Sequence, residues 1–496
     1  MTDRSRSAVQ VTFALVGFLF LLELTSGIIQ GYYIPLISDL VLHLGITDAD
    51  FNFFEAAQLL LSALAVPILA KLGDMFGHKR MLLVSTALTA AASWWLVFSG
   101  DFTTFLIAWA LQGFYAVWLP LEIALIFDKG RRTATAPSKT RRAAGILVIA
   151  LEAGAIAGAL GGGAVFAAAG GDIAVTLAVP AVAVSVVFFA ILFGVPESER
   201  TEGRSLDLVG FVLLSLALLL TTSSLTFLRI NGPGTWWVWV LMAVGLLAFV
   251  PFGRWVLGRD DPAIDLRVMA QPSMWPIQVT AGLFGISVLG AQIPLSTFAG
   301  TDPEVTGYGL GLSAGMRSVV IGIYLISLIV GATLFAVFAR RLTPRIALIA
   351  ATGLVTVGYF ALIPFHDDLA QVLTCICIAG AGSGALVAAL PAAAAAAAPR
   401  GQTGVAAGMT NTTKTVGGAF ASATFGIALA TGVTAGVGTA ASLSGYYTVW
   451  LVCGGTALIA TVLLFFVPRL AFADADGADA SEVSASPEAT TSGGRP

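Results

Sequence analysis

Charge is what this chain of 496 residues has least of: Asp, Glu, Lys and Arg together make 11% of it, where a soluble domain carries about 25%. Apolar and aromatic residues make up 57%, and mean hydropathy is +0.91. A chain this long with so little charge has no means of covering a water-facing surface, which excludes a cytosolic enzyme, a secreted domain and a disordered protein. Neither sign of charge dominates (25 basic against 28 acidic residues), so nucleic acid is not an expected partner. Cysteine is scarce too. Cys375, Cys377 and Cys453 all fall in apolar runs without a second pair at ligand spacing, and read as small buried hydrophobes. The three histidines, His43, His78 and His366, stand in loops without an H-E-x-x-H pattern, leaving metalloprotease chemistry unsupported. No G-x-x-x-x-G-K-[ST] occurs, so no ATP site is expected, nor any metal or organic cofactor.

What is abundant is long apolar runs. A crossing helix needs about 20 such residues, and fourteen candidates lie near 11–31, 55–73, 81–99, 102–127, 143–168, 174–194, 206–228, 235–257, 274–299, 311–338, 345–364, 369–397, 403–431 and 446–468. They lack the period-two alternation of a membrane barrel, so an all-α polytopic protein is predicted. With the N-terminus inside, twenty-two of the 25 basic residues fall in cytoplasmic segments. Only Arg229 falls outside, and Arg317 and Lys414 lie within spans. This bias predicts a plasma-membrane protein with both termini cytoplasmic. Span 1 contains Glu23 and lacks an A-x-A site, unlike a cleaved signal peptide. The tail from about 471 to 496 is small and polar without periodicity and reads as disordered.

A short basic loop after span 2, Leu72-Gly73-Asp74-Met75-Phe76-Gly77-His78-Lys79-Arg80, is echoed after span 10 by Ala339-Arg340-Arg341-Leu342-Thr343-Pro344-Arg345. The echo implies a 6 + 2 + 6 plan: a cytoplasmic N-terminus (1–10), a six-helix bundle (11–194), an inserted hairpin of spans 7 and 8 (195–273), a second six-helix bundle (274–468) and a tail (469–496). Internal repeats in membrane proteins go with alternating access around a midplane site.

At these residues the chain resembles the major facilitator superfamily, in particular its fourteen-span drug/proton antiporter branch. The family loop G-x-L-A-D-R-x-G-R-K-x-x-L maps onto Ala70 to Leu82, matching at Leu72, Asp74, Gly77, Lys79 and Leu82. The family's span-5 pattern G-x-x-x-G-P-x-x-G-G maps onto Gly154, Gly158, Ala159, Gly162 and Gly163, with Ala in place of Pro. In span 4 the family has an arginine before Q-G, where this chain has Trp109 before Ala110-Leu111-Gln112-Gly113. The segment from Gly401 and Gln402 through Asn411, Lys414, Gly417 and Gly418 resembles the start of the family's penultimate helix. The resemblance implies two bundles that rock about a central cavity. It also implies that Asp74 meets the positive end of span 13 near Gln402 as a latch, with Gly77 giving the turn and Lys79 and Arg80 anchoring it at the headgroups; a plain positive-inside loop is the alternative.

Ionisable residues inside spans are costly, at least about 2.5–3.5 kcal/mol each at the bilayer centre, and so mark candidate sites. They are Glu23 in span 1, Glu122 in span 4, Glu152 in span 5, Arg317 in span 10 and Lys414 in span 13. Counted at 1.5 Å per residue, Glu23 and Lys414 fall near mid-depth, Arg317 toward the outer face, and Glu122 and Glu152 toward the cytoplasm. Glu23 is the first choice for a proton or substrate site. The alternative is packing against a neighbouring helix for Glu23, reach to water for Glu122 and Arg317, and interhelical bonding for Lys414, otherwise a counter-ion; Glu152, on a helix between the halves, fits a conformational role better than substrate contact. The glycines at 154, 158, 162 and 163 fit close helix approach. The expected function is proton-coupled export of amphiphilic organic compounds by a monomer in the lipid bilayer. The alternatives are an importer or uniporter on the same fold, or a transport-inactive sensor. No nucleophile, metal cluster or paired carboxylates suggest an enzyme.

Overall fold

The structure is a computed structural model that describes residues 2–130, 136–196, 206–259, 262, 264–338, 344–397, 403–431 and 439–466. Among the described residues there is no strand. Seventeen helices carry the architecture: α1 (Thr2–Tyr32), α2 (Ile37–Leu44), α3 (Asp48–Phe76), α4 (His78–Val97), α5 (Phe102–Gln112), α6 (Trp118–Gly130), α7 (Ala136–Ala168), α8 (Ile173–Gly194), α9 (Leu208–Asn231), α10 (Trp236–Leu257), α11 (Trp275–Val288), α12 (Gln292–Gly300), α13 (Ala314–Phe338), α14 (Pro344–Ala361), α15 (Leu369–Ala397), α16 (Thr403–Ala430) and α17 (Leu443–Phe466). Two single-turn helices, Leu266–Met269 and Pro303–Thr306, lie in connections. Twelve stretches are helical, long and apolar enough to cross a membrane. The apolar stretch of α14, Arg345–Ala361, is shorter, and α16, with Asn411, Lys414 and six threonines, is not among the twelve. The predicted tail and the start of span 13 at Gln402 lie outside the described residues.

Local chemistry sets the helix ends. Thr47 caps α3: its N–H and Oγ1 both donate to Asp50 Oδ2, at 2.9 and 2.7 Å, a reciprocal arrangement that satisfies donors the helix itself leaves open. This cap starts α3 seven residues before the predicted span and puts Glu55 two turns inside the helix. Gly77, at φ 108°, turns α3 into α4, a backbone conformation that side chains rarely adopt. Span 4, predicted as one helix, is interrupted. A tight 3-10 turn over Gly113–Val117 separates α5 from α6, and its backbone is held from α3, where Ser62 Oγ donates to Gly113 O at 2.9 Å and Gln58 Nε2 to Trp109 O at 3.2 Å. Span 9 is likewise broken between α11 and α12, at Leu289–Ala291.

Glycine governs the closest packing. On α1 and α7, a Cβ at Gly27 would lie 1.9 Å from Leu151 O, at Gly31 2.0 Å from Ala155 O, at Gly154 2.1 Å from Leu24 O, and at Gly162 2.2 Å from Tyr32 O. The same interlock joins α11 to α16, where Gly285 faces Lys414 O at 1.9 Å and Gly417 faces Gly282 O at 2.1 Å. No side chain fits at such distances, so these backbones touch only because the residues are glycine. Two further interfaces, α3 on α16 and α7 on α13, join the N-terminal helices to the C-terminal ones. The α9–α10 hairpin lies on the outer side of the α3–α16 seam. Its α10 presents Trp236, Val240, Val244, Leu247 and Val250 outward, as a helix facing lipid does. Arg229 at the end of α9 pins the hairpin to Asp50 at 2.6 Å.

Candidate functional site

The deepest polar feature lies between α1 and α6. Glu23 and Glu122 are both fully buried, and their carboxyl groups lie within electrostatic reach of each other. No donor from any other described residue reaches the four carboxyl oxygens. Two ionised carboxylates only accept, and with no donor in reach it is costly to keep both of them ionised in an apolar surround. The sequence placed Glu122 toward the membrane surface with cheap access to water; the structure corrects this. The helix that carries it restarts at Trp118 after the 3-10 turn, and the fresh register aims Glu122 inward at α1.

Arg317 does not take the alternative of reaching out to water either. It is buried, and its guanidinium clasps three groups: Nε donates to Pro35 O at 2.8 Å, Nη1 to Leu312 O at 3.0 Å, and Nη2 to the Asp39 carboxylate. The clasp joins α13 to the α1–α2 connection, beside a bond from Ser318 Oγ, which accepts from Gly163 N at 3.1 Å, and one from Ser296 Oγ to Ile34 O. The helices are therefore tied together at the end of the bundle opposite Gly77.

Glu152 on α7 and Lys414 on α16 lie mid-helix, half-buried, each within the other's electrostatic reach but not in contact. At the Gly77 end, Asp74 Oδ1 is 3.2 Å from His78 Nε2, and Lys79 Nζ donates to Leu192 O at 2.9 Å. Arg80 is exposed on the same turn. The expected partner of Asp74 at Gln402 lies outside the described residues.

Three participants escaped the sequence reading. Asp39 sits in a stretch read as a connection. Glu55 stood at the first residue of its predicted span and passed as a helix end. It is enclosed beside the Trp109 indole and Tyr115, and the T-x-x-D cap at Thr47 was the signal that would have placed it inside a helix. Tyr324 lines an apolar pocket with Gln292, Tyr359 and Trp450. Trp109 itself packs edge-on to Tyr33 and Phe51, both at 5.1 Å, and stacks on Phe105. Below it the buried Gln112 amide donates to Tyr33 Oη and Ser93 Oγ, both at 2.9 Å. Ala159 is fully buried on an uninterrupted α7.

A family profile described as Major Facilitator Superfamily matches residues 19–422. The tetracenomycin C resistance and export protein of Streptomyces glaucescens is 25% identical over 392 residues, covering 78% of this chain and 70% of that protein. The uridine/deoxyuridine transporter of Lactococcus lactis subsp. cremoris is 23% identical over 64% of this chain, and the match spans 65% of its length, just under two thirds. Among solved structures, that of a peptide transporter, POT, in complex with sulfate superimposes with a TM-score of 0.66 at 16% identity, covering 95% of this chain and 99% of that one; this likeness concerns the fold.

Proposed function

The chain belongs to the Major Facilitator Superfamily, and from that premise we propose that it is a proton-coupled exporter of amphiphilic organic compounds, of the fourteen-span drug/proton antiporter type. As a family member it is a multi-pass membrane transporter of small molecules rather than an enzyme. In this reading α14 and α16 supply the crossings beyond the twelve, and α9 and α10 form an inserted hairpin between two six-helix bundles. Both termini are cytoplasmic, the membrane is the plasma membrane, and the protein acts as a monomer without cofactor or ATP. The loop around Asp74, Gly77, Lys79 and Arg80 is the cytoplasmic latch.

The observation that carries the proposal is the Glu23–Glu122 pair. A carboxyl pair that has to hold a proton while enclosed releases it when a rocking motion opens one carboxyl to water, which couples protonation to the conformational cycle. An importer or uniporter of a small organic solute on the same plan is the second reading, since one relative is named for a nucleoside rather than for resistance or export. Each proton moved through 100 mV supplies about 2.3 kcal/mol, enough to sustain a substrate ratio of roughly fifty.

Everted vesicles loaded with a panel of dyes test it. An imposed pH gradient is expected to drive uphill dye movement in the export direction by the wild type, and Glu23→Gln or Glu122→Gln to abolish it while exchange down a dye gradient survives. Uphill transport that persists in both variants refutes coupling at this pair; flux in the opposite direction favours the importer.

A further inference from the structure

Glu55 is an acid within a span that proton coupling at Glu23 and Glu122 leaves unused. On α3 it shares a face with Phe51, Asn52, Gln58, Leu59 and Ser62, which lie one and two turns away. All five are 7% exposed or less, whereas Glu55 is only half-buried and its oxygens are not among the sealed polar atoms. A face enclosed on both sides of Glu55 does not look onto lipid, so the carboxyl opens to space inside the protein. Trp109 stands across from it. Gln58 Nε2 donates to Trp109 O at 3.2 Å, and the Phe51 ring centre lies 5.1 Å from that of the indole. These two contacts set the indole between the turn of Phe51 and the turn of Gln58, at the level of Glu55. Trp109 is 4% exposed, and its indole N–H reaches hydrogen-bond geometry with no described acceptor. No described Lys, Arg or His pairs with Glu55 or lies within its electrostatic reach. The two arginines at this end of the bundle are committed elsewhere, Arg229 to Asp50 at 2.6 Å and Arg317 to Asp39.

We propose that Glu55, steadied by the Trp109 indole, receives an organic cation, so that the transported molecule is an amphiphile bearing a protonated amine or a similar group. A carboxylate enclosed in a membrane protein without a counter-ion is costly, and a ligand ammonium supplies both the missing charge and a charge-assisted bond. The indole N–H donates to one carboxylate oxygen and leaves the other for the ligand. An amphiphile bearing an ionised acid would instead meet repulsion. A proton held at Glu55 would relieve the same cost, but ligand affinity would then be the same in Glu55→Gln as in the wild type. The inference rests on the transporter reading for its ligand but not on the proton pair, so its test uses binding without any gradient.

The full chain in nanodiscs is titrated with ethidium, a planar organic cation, and with fluorescein, a planar anion, against empty nanodiscs as background. Ethidium is expected to bind the wild type more tightly than fluorescein. Glu55→Gln is expected to weaken ethidium at least about ten-fold, and Glu55→Asp to keep the preference for ethidium. Glu304→Gln, which removes an exposed acid from a connection, is expected to leave ethidium affinity unchanged. No ethidium binding above background, unchanged affinity in Glu55→Gln, a preference for fluorescein, or equal weakening by Glu304→Gln overturns the proposal. Should Glu55→Gln fail to fold, photolabelling of the wild type with ethidium monoazide reads the same contact. Label on α3 or α5 at the level of Glu55 and Trp109 supports the proposal, and label confined to other segments overturns it. Loss of pH-driven transport in Glu23→Gln with ethidium binding intact supports a separate cation site, and transport intact in Glu23→Gln and Glu122→Gln with ethidium binding lost in Glu55→Gln counts against the proton reading alone.

Discussion

The α1/α7 pair and the α11/α16 pair are built by the same device and filled with opposite charge. In each, glycines let two backbones meet where no Cβ fits. Around the first pair stand Glu23, Glu122 and Glu152; in the second stands Lys414, whose carbonyl touches Gly285 while its side chain reaches away. Close packing is thus a shared structural requirement, and the ionisable residues are free to differ because they project from the faces that the lock leaves open. The difference teaches where to look for chemistry: a carboxyl pair able to keep a proton on one side, and an ammonium with Glu152 in electrostatic reach but no hydrogen-bonded partner among the described residues on the other.

The strongest way to break this comparison is to fill the locks. Gly154→Leu places a side chain against Leu24 O and Gly285→Leu one against Lys414 O. Both are expected to cost more than about 3 kcal/mol, the upper end for overpacking that side chains alone can absorb. Loss of monodisperse protein and a collapsed thermal transition would show it; a wild-type transition in either would mean that the helices do not meet there. A second test asks whether the Arg317 clasp is as strong as its burial suggests. Arg317→Gln strands Asp39 and the carbonyls of Pro35 and Leu312, and is expected to cost about 3 kcal/mol, the lower end for a broken buried pair because Asp39 keeps some exposure. The Arg317→Leu, Asp39→Leu double variant should recover part of that, measured as a thermal double-mutant cycle. The same loss should raise maleimide labelling of Ser38→Cys from the Asp39 end. Additive single effects would show that the two residues do not act together.

The smallest expected effect belongs to the peripheral hairpin. Arg229→Ala removes a partly exposed bridge to Asp50 and a ring contact with Phe53, for about 1 kcal/mol or less. A reporter fused after Arg229 should read as external; a cytoplasmic reading would break the fourteen-crossing plan, and with it the correspondence between α7 and α16.

Much of this architecture is legible from one sequence. The helical segments were found because apolarity over some twenty residues is a local property, and the membrane selects for it without reference to neighbours. The glycine runs at 154–163 were legible as packing residues for the same reason. The errors have local causes too. Glu55 was passed over because the cap at Thr47 starts α3 earlier than hydropathy does. The break at Gly113–Val117 went unseen because its stability comes from Ser62 and Gln58 on another helix.

By itself, then, the sequence determined that the chain is helical and embedded in a membrane, and named five of the charges within its spans while passing over Asp39 and Glu55. Only the tertiary structure decided their neighbours: Glu122 for Glu23, Asp39 for Arg317, and Glu152 within electrostatic reach of Lys414. A buried charge is satisfied by whatever the fold brings within a few ångströms. That choice depends on how helices distant in the chain are rotated and spaced, which no local pattern of residues encodes.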